Sequence, residues 1–180
     1  MRPGPRQTDS LPKLTLSSSN QMDLLWSPWR YRYVSSASSD EACLFCRIAM
    51  ESKDRENYVL RRASRNFVML NRYPYTSGHL MIAPYSHVAT LEDSDAETLA
   101  ELMALTREME VALRKLYRPG GVNIGMNIGK SAGAGVAGHI HMHALPRWSG
   151  DTNFMTVVGE TRVLPEELDT TYERFLDVLG

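Results

Sequence analysis

The chain has 180 residues, 43% of them hydrophobic, which is enough to bury the core of one domain. Its 20 Lys and Arg nearly balance 21 Asp and Glu, and the formal net charge of −1 excludes the broad positive field that nonspecific nucleic-acid binding requires. No apolar run approaches the roughly 20 residues needed to span a bilayer, and we therefore expect a cytoplasmic protein with no nucleic-acid and no membrane partner.

The beginning of the chain differs in composition from the rest. Residues 1–21 carry Pro, Ser and Gln with little apolar periodicity, which predicts a disordered leader. An aromatic stretch follows Met22, which is a candidate for the true start, and we expect a single domain over residues 22–180. Next come the only two cysteines, Cys43 and Cys46. In a reducing compartment this spacing is typical of a metal-binding or redox-active pair.

Three strands and a long helix are predicted in the middle of the chain. Residues 58–61, 67–71 and 79–84 have the composition of short strands, with a turn between the last two. Ser94 and Glu97 fit a capping box at the start of a helix. Its apolar stripe has spacings of three and four up to a Pro-Gly-Gly stop: Leu99, Leu102, Met103, Thr106, Met109, Leu113 and Leu116.

The rest of the chain returns to a strand pattern. From Val122 to Ile128 apolar residues alternate with Asn and Gly, which predicts a strand with one polar face. A Gly- and Ala-rich loop at 129–135 leads to a second alternating strand from His139 to Leu145, ended by Pro146. We also predict a strand at 154–158 and a closing helix at 165–179. This order of elements predicts an α+β domain with a mainly antiparallel sheet.

Three histidines occupy alternate positions in the second of these strands. His139, His141 and His143 would share one face, and burial would require a partner for every ring nitrogen, which disfavours a purely structural role. A catalytic zinc bound by these histidines is one interpretation. The Gly-rich loop favours phosphoryl chemistry instead, because successive backbone N–H groups bind phosphate oxygens and an imidazole is largely neutral and nucleophilic at pH 7.

The run Gly138-His139-Ile140-His141-Met142-His143-Ala144-Leu145-Pro146 resembles the His-x-His-x-His-x-x motif of the histidine triad superfamily. Asn71, Gly78-His79, Pro84 and His87 fit the same family pattern upstream. The stretches at 25–30 and 146–154 resemble a branch that includes bacterial diadenosine tetraphosphate phosphorylases and hydrolases. The resemblance implies the histidine triad fold.

The resemblance also implies a two-step reaction with assigned residues. His141 would attack the α-phosphorus of a nucleotide and form a nucleotidyl-histidine, which water or inorganic phosphate would then cleave. His143 would be the second catalytic residue, bound to the phosphate oxygens. The implied nucleotide-binding residues are Asn71 at the ribose, His79 at the edge of the site, Asn127 at the α-phosphate, and Lys130, Ser131, Gly133 and Gly135 in the loop.

The chain departs from the family pattern at one point. Many members place Gln and then Ser or Thr where this chain has Gly135 and Val136, and neither side chain can donate a hydrogen bond to the leaving group. Our hypothesis is that Lys130 or Ser131 substitutes for the missing hydroxyl. The alternative is that backbone amides suffice.

Metal and partner expectations follow from the same resemblance. It implies a structural zinc ion bound by Cys43, Cys46, His87 and His139, no organic cofactor, and a homodimer that pairs through the long helix and a central strand. Two buried thiols with a solvated His87, or a redox pair, are the alternatives to zinc. The implied substrate is a dinucleoside polyphosphate. Alternatives are an adenosine phosphoramidate as substrate, or a nucleotide-binding regulatory module with little catalysis.

Overall fold

The computed structural model describes residues 43–151 and 165–180. The predicted leader, Met22, the stretch at 25–30 and the strand at 154–158 lie outside the described residues. None of the helices in the described part is long and apolar enough to span a membrane.

The described residues form four helices and five strands. In chain order these are α1 (Leu44–Met50), α2 (Asp54–Asn57), β1 (Val59–Arg62), β2 (Asn66–Leu70), β3 (Leu80–Pro84), α3 (Ala96–Tyr117), β4 (Gly121–Met126), a 3-10 turn (Lys130–Ala132), β5 (Met142–Arg147) and α4 (Leu168–Leu179). The strands make one antiparallel sheet in the order β1-β2-β3-β5-β4. The prediction of an α+β domain with an antiparallel sheet, one long helix and a C-terminal helix is confirmed.

The sheet is covered on both faces, which explains why β2 and β3 are buried along their whole length. Val68 and Leu70 of β2 belong to a core with α3 and α4, while the alternating residues Phe67 and Met69 belong to a second core with α1. Met81 of β3 lies in the α1 core and is the register partner of His143. The face of the sheet that α1 covers is therefore also the face that carries His143.

The start of α3 lies one residue later than the capping-box prediction. Asp95 caps the helix, and its carboxylate accepts hydrogen bonds from the Thr98 N–H at 2.8 Å and the Thr98 hydroxyl at 2.7 Å. The Ser94 hydroxyl is buried without a hydrogen-bond partner among the described residues. Met103, which we placed on the apolar stripe, is 56% exposed, and Leu105 and Ala112 are buried in its place.

The predicted bounds of β5 were wrong at both ends. The N–H of Ile140 donates to the Val88 carbonyl at 2.8 Å, outside the ladder, and the strand begins only at Met142. It then continues through Pro146 to Arg147. Proline is tolerated there because pairing with β3 ends at Ala144, which leaves Pro146 with a neighbouring strand on one side only.

Candidate functional site

The site lies where β5 runs between β3 and β4. His143 on β5 is the register partner of Met81 on β3 and of Gly125 on β4. A Cβ atom added to Gly125 would meet nothing within 4 Å, which shows open space beside the histidine. Met126, the last residue of β4, pairs with Met142, the first residue of β5, and Asn127 directly follows the end of this pairing.

His141 has a defined tautomer. Its Nδ1 lies 2.9 Å from the His139 backbone carbonyl, which can only accept, and Nδ1 therefore carries the proton. The lone pair of the neutral ring is then on Nε2. The ring is 4% exposed, and burial holds the pKa of His141 below its usual value. A neutral imidazole with a free Nε2 lone pair is the nucleophilic form of histidine.

A chain of hydrogen bonds fixes the tautomer of His143 as well. The Tyr75 N–H donates to His79 Nδ1 at 3.2 Å, and the Asn71 amide, whose oxygen accepts from the Tyr73 N–H, reaches the same nitrogen at 3.3 Å. The proton of neutral His79 must then be on Nε2, which lies 2.9 Å from His143 Nδ1. His143 accepts on Nδ1 and, as a neutral ring, carries its own proton on Nε2.

His79 is more deeply buried than its predicted place at the edge of the site suggested. It is 1% exposed, and burial together with the neighbouring His143 and His141 lowers the pKa of His79 to about 3. Both ring nitrogens contact protein groups. His79 thus acts on the site through His143.

Sequence reasoning missed two aromatic residues at the site. The Tyr75 ring lies 4.7 Å from the His79 ring and 6.3 Å from the His143 ring, measured between centroids. Phe45 lies 4.8 Å from His141 and 5.1 Å from His139 by the same measure. Tyr75 follows Pro74 in a predicted turn, and Phe45 lies between the two cysteines. Neither position distinguishes a site residue from an ordinary turn or core residue, which is why the sequence did not reveal them.

Some backbone N–H groups of the Gly-rich loop donate hydrogen bonds to carbonyl groups of the same loop. Gly129 and Gly133 have φ values of 82° and 87°, a conformation that favours glycine. The Gly133 N–H, predicted to bind phosphate, donates to the Lys130 carbonyl at 2.9 Å, and the Ala134 N–H faces the Gly129 carbonyl at 3.3 Å. Gly135, half-buried, makes no such backbone bond within the described chain.

The structure describes the three residues that concern the missing hydroxyl, which are Lys130, Ser131 and Val136. Lys130 and Ser131 lie exposed in the 3-10 turn, and no hydrogen bond joins either to an imidazole within residues 43–151. Val136 packs against the α1 core.

The four predicted metal ligands come together beside His141. Ligand atoms of Cys43, Cys46, His87 and His139 all lie within 4.8 Å of one another. His139 Nδ1 is 3.4 Å from Cys43 Sγ and 3.6 Å from Cys46 Sγ, and His87 Nδ1 is 3.2 Å from Cys46 Sγ. Tetrahedral zinc with bonds of about 2.3 Å to sulfur and 2.0 Å to nitrogen would separate S and N by about 3.5 Å.

The tautomer of His139 also fits a metal ligand. Its Nε2 donates to the Pro84 carbonyl at 2.9 Å, which leaves an unprotonated Nδ1 directed at the two thiols. His139 therefore has two roles, since its backbone carbonyl holds His141 while its ring faces the cluster. The cluster is compatible with zinc binding.

Residues 53–150, more than half of the chain, match the HIT domain family. This protein belongs to the histidine triad (HIT) family. A Mycobacterium tuberculosis protein named AP-4-A phosphorylase is 40% identical to this HIT protein over 160 residues, which cover 84% of this chain and 82% of the relative.

Solved structures agree with this assignment. A Zn-bound histidine triad family protein from Mycobacterium smegmatis superposes with a TM-score of 0.63 at 29% identity, covering 77% of this chain and 93% of the other. Plasmodium falciparum diadenosine triphosphate hydrolase gives a TM-score of 0.58 at 18% identity over 83% of this chain and 93% of the other, which shows the shared fold alone.

Proposed function

We propose that this HIT protein is an enzyme that cleaves dinucleoside polyphosphates such as diadenosine tetraphosphate through a nucleotidyl-His141 intermediate. The observation that carries the proposal is the hydrogen bond from His141 Nδ1 to the His139 carbonyl, which leaves the Nε2 lone pair for attack. The M. tuberculosis relative named AP-4-A phosphorylase supports the substrate class.

The proposed reaction has two displacements at one phosphorus. His141 Nε2 attacks the α-phosphorus, a P–N bond forms, and the P–O bond to the rest of the polyphosphate breaks, which releases ATP from diadenosine tetraphosphate. The charge that develops on the ring is stabilised by the Nδ1–H bond to the His139 carbonyl. An oxygen of the acceptor then attacks phosphorus, the P–N bond breaks, and His141 returns to its neutral form.

The other predicted residues have supporting roles in this proposal. His143 offers its Nε2 proton to a phosphate oxygen, because His79 occupies its Nδ1. In this proposal Asn127 contacts the α-phosphate, and Asn71, whose side-chain amide contacts His79, binds the ribose. The loop from Lys130 through Ser131, Gly133 and Gly135 borders the phosphates.

We propose inorganic phosphate as the acceptor, because the M. tuberculosis relative is named a phosphorylase. Acceptor and substrate class can be separated by incubating the protein with diadenosine tetraphosphate and, separately, with an adenosine phosphoramidate, each with and without inorganic phosphate. We expect multiple turnovers to ADP and ATP only when phosphate is present. AMP and ATP without phosphate would indicate hydrolysis, preferential P–N cleavage a phosphoramidase, and binding without turnover a regulatory module.

We propose further that Cys43, Cys46, His87 and His139 bind a structural zinc ion. Zinc would supply a rigid tetrahedral link and no reactive group, since four protein ligands leave no open position. The distances within the cluster and the Zn-bound M. smegmatis structure support this role. Through His139 the metal would fix the segment that carries His141.

We propose a homodimer through the long helix α3 and, instead of the central strand that we expected, the edge strand β4. β4 is an edge strand of the described sheet, and its Asn123, Ile124 and Gly125 are exposed. Unpaired edges with exposed apolar residues are typical of surfaces that pair with another chain. A solution mass of one 20.3 kDa chain by light scattering would contradict the dimer.

A further inference from the structure

Phe45 has an unusual position between the metal-type cluster and the nucleophile. It lies in α1 between Cys43 and Cys46 and is 1% exposed. Its ring is 5.1 Å from the His139 ring at an interplanar angle of 47°, and 4.8 Å from the His141 ring at 36°. One apolar side chain thus contacts both a predicted metal ligand and the predicted nucleophile.

The hydrogen bond of His141 does not by itself fix the plane of its ring. A single bond at Nδ1 sets the direction in which that nitrogen points, and rotation about this direction would still swing Nε2. Ring contacts limit the rotation: Phe45 lies across the His141 ring, and His143 approaches at 4.9 Å with an interplanar angle of 72°. The Phe45 ring is closer to parallel with the His141 ring than the His143 ring is, and it therefore restricts tilting of the His141 ring.

The helix that carries Phe45 is held at both ends. At its N-terminal end Cys43 and Cys46 face His139 and His87. At its C-terminal end the Arg62 guanidinium donates to the backbone carbonyls of Ile48 at 3.0 Å, Ala49 at 3.3 Å and Glu51 at 2.7 Å. A shift of α1 is therefore opposed from two sides, and Phe45 can act as a fixed surface against His141.

We infer that Phe45 is a positioning residue, which holds the ring plane of His141 for in-line attack and transmits the order of the Cys–His cluster to the nucleophile. The inference rests on the proposed function, in which His141 attacks phosphorus. Nucleophiles must be held close to the attack geometry, and a misplacement of about 1 Å can cost on the order of 100-fold in rate. Phe45 makes no contact with substrate in this role.

The chain offers a matched control in Phe67. It belongs to the same core as Phe45, is 0% exposed, and lies 6.4 Å from Phe45. Its second ring contact is with Tyr85 at 5.5 Å, and within the described residues it makes no ring contact with a histidine. Phe45→Leu and Phe67→Leu therefore remove a similar buried ring, and we expect similar losses of thermal stability.

The test compares both variants with the parent at equal zinc content. For Phe45→Leu we expect kcat on diadenosine tetraphosphate to fall by about tenfold or more while KM changes less than about twofold, since ground-state binding is untouched. Phe67→Leu should retain the parental kcat. Because Phe45 lies over His141, the NMR shifts of the His141 ring protons should change in Phe45→Leu alone.

Two outcomes would overturn the inference, and they differ from failure of the proposed function. Equal kcat in the two Leu variants, or unchanged His141 proton shifts in Phe45→Leu, would show that Phe45 is only a core residue. A parent enzyme that forms no nucleotidyl-His141 would refute the proposed function itself. If Phe45→Leu lost its cooperative unfolding transition, Phe45→Met and Phe67→Met would replace the pair.

Discussion

The protonation of individual histidines decides what this site can do. Each tautomer follows from the neighbouring group. The Tyr75 N–H donates to His79 Nδ1, and the protonated His79 Nε2 then donates to His143 Nδ1. The His139 carbonyl accepts from His141 Nδ1. The result is an unprotonated nitrogen, His141 Nε2, and, on a neutral His143 ring, a protonated nitrogen at Nε2. This pairing suits attack on an anionic phosphate.

Replacing His79 tests the buried, neutral state of that ring. The folded-state pKa of about 3 lies below the unfolded value near 6.5, and between these values the unfolded chain takes up a proton that the folded chain does not. Folding stability from this group is therefore complete above pH 6.5 and is lost as the pH falls toward 3. Relative to His79→Leu, the parent should lose roughly 1 kcal/mol more per pH unit.

Urea unfolding at several pH values between 7 and 4.5 would measure this difference. Zinc release affects both proteins, and the difference in slope reports the loss of His79 together with its effect on His143, the hydrogen-bond partner of His79. His79→Leu should also reduce turnover at pH 7, because His143 loses its partner on Nδ1. Parallel stability profiles for parent and variant would contradict a buried neutral His79.

Among the elements, α1 shows how much a short helix depends on tertiary contacts. It has only seven residues, too few for stability in isolation, and the structure holds it through Cys43 and Cys46 at one end and Arg62 at the other. The Cys-x-x-Cys spacing indicates a metal-binding or redox-active pair, and the family resemblance implies the zinc ligand set. Nothing in this spacing indicates that Phe45 of the same helix contacts His141.

Removing one thiol tests the proposed link between α1 and the segment before β5. The parent should contain about one zinc ion per chain, and Cys46→Ser should contain much less and unfold at a lower temperature, because the ligand set falls to three. Met50→Ser, on the same helix at an 84% exposed position, should keep its zinc. Elemental analysis of protein purified without chelator makes the measurement, and a parent without zinc would refute the site.

Sequence reasoning placed several elements well. The spacing of apolar residues located α3, alternation located β4, and strand-type composition located β2 and β3, each strand to within one or two residues. The errors arose where a local rule competed with tertiary contacts. Asp95 caps α3 although Ser94 fits the capping rule, and β5 passes through Pro146 because its neighbour on one side has ended.

On the scale of the whole molecule, the sheet gathers residues that are far apart in sequence. Cys43 and His139 are 96 residues apart and His79 and His143 are 64 apart, yet each pair is in contact. Residue patterns could predict which histidines and cysteines matter, and the family resemblance supplied their grouping. Contacts such as those of Phe45 and Tyr75 depend on packing between elements, which periodicity alone does not encode.

The central claim is that His141 becomes covalently bonded to phosphorus. The most direct test is to mix the protein with diadenosine tetraphosphate in the absence of phosphate, quench at alkaline pH to preserve the P–N bond, and map the modified peptide by mass spectrometry. We expect an adenylyl group on His141 that disappears when phosphate is added, and no adduct or turnover in His141→Ala. An adduct on another residue, or parental turnover in His141→Ala, would contradict it.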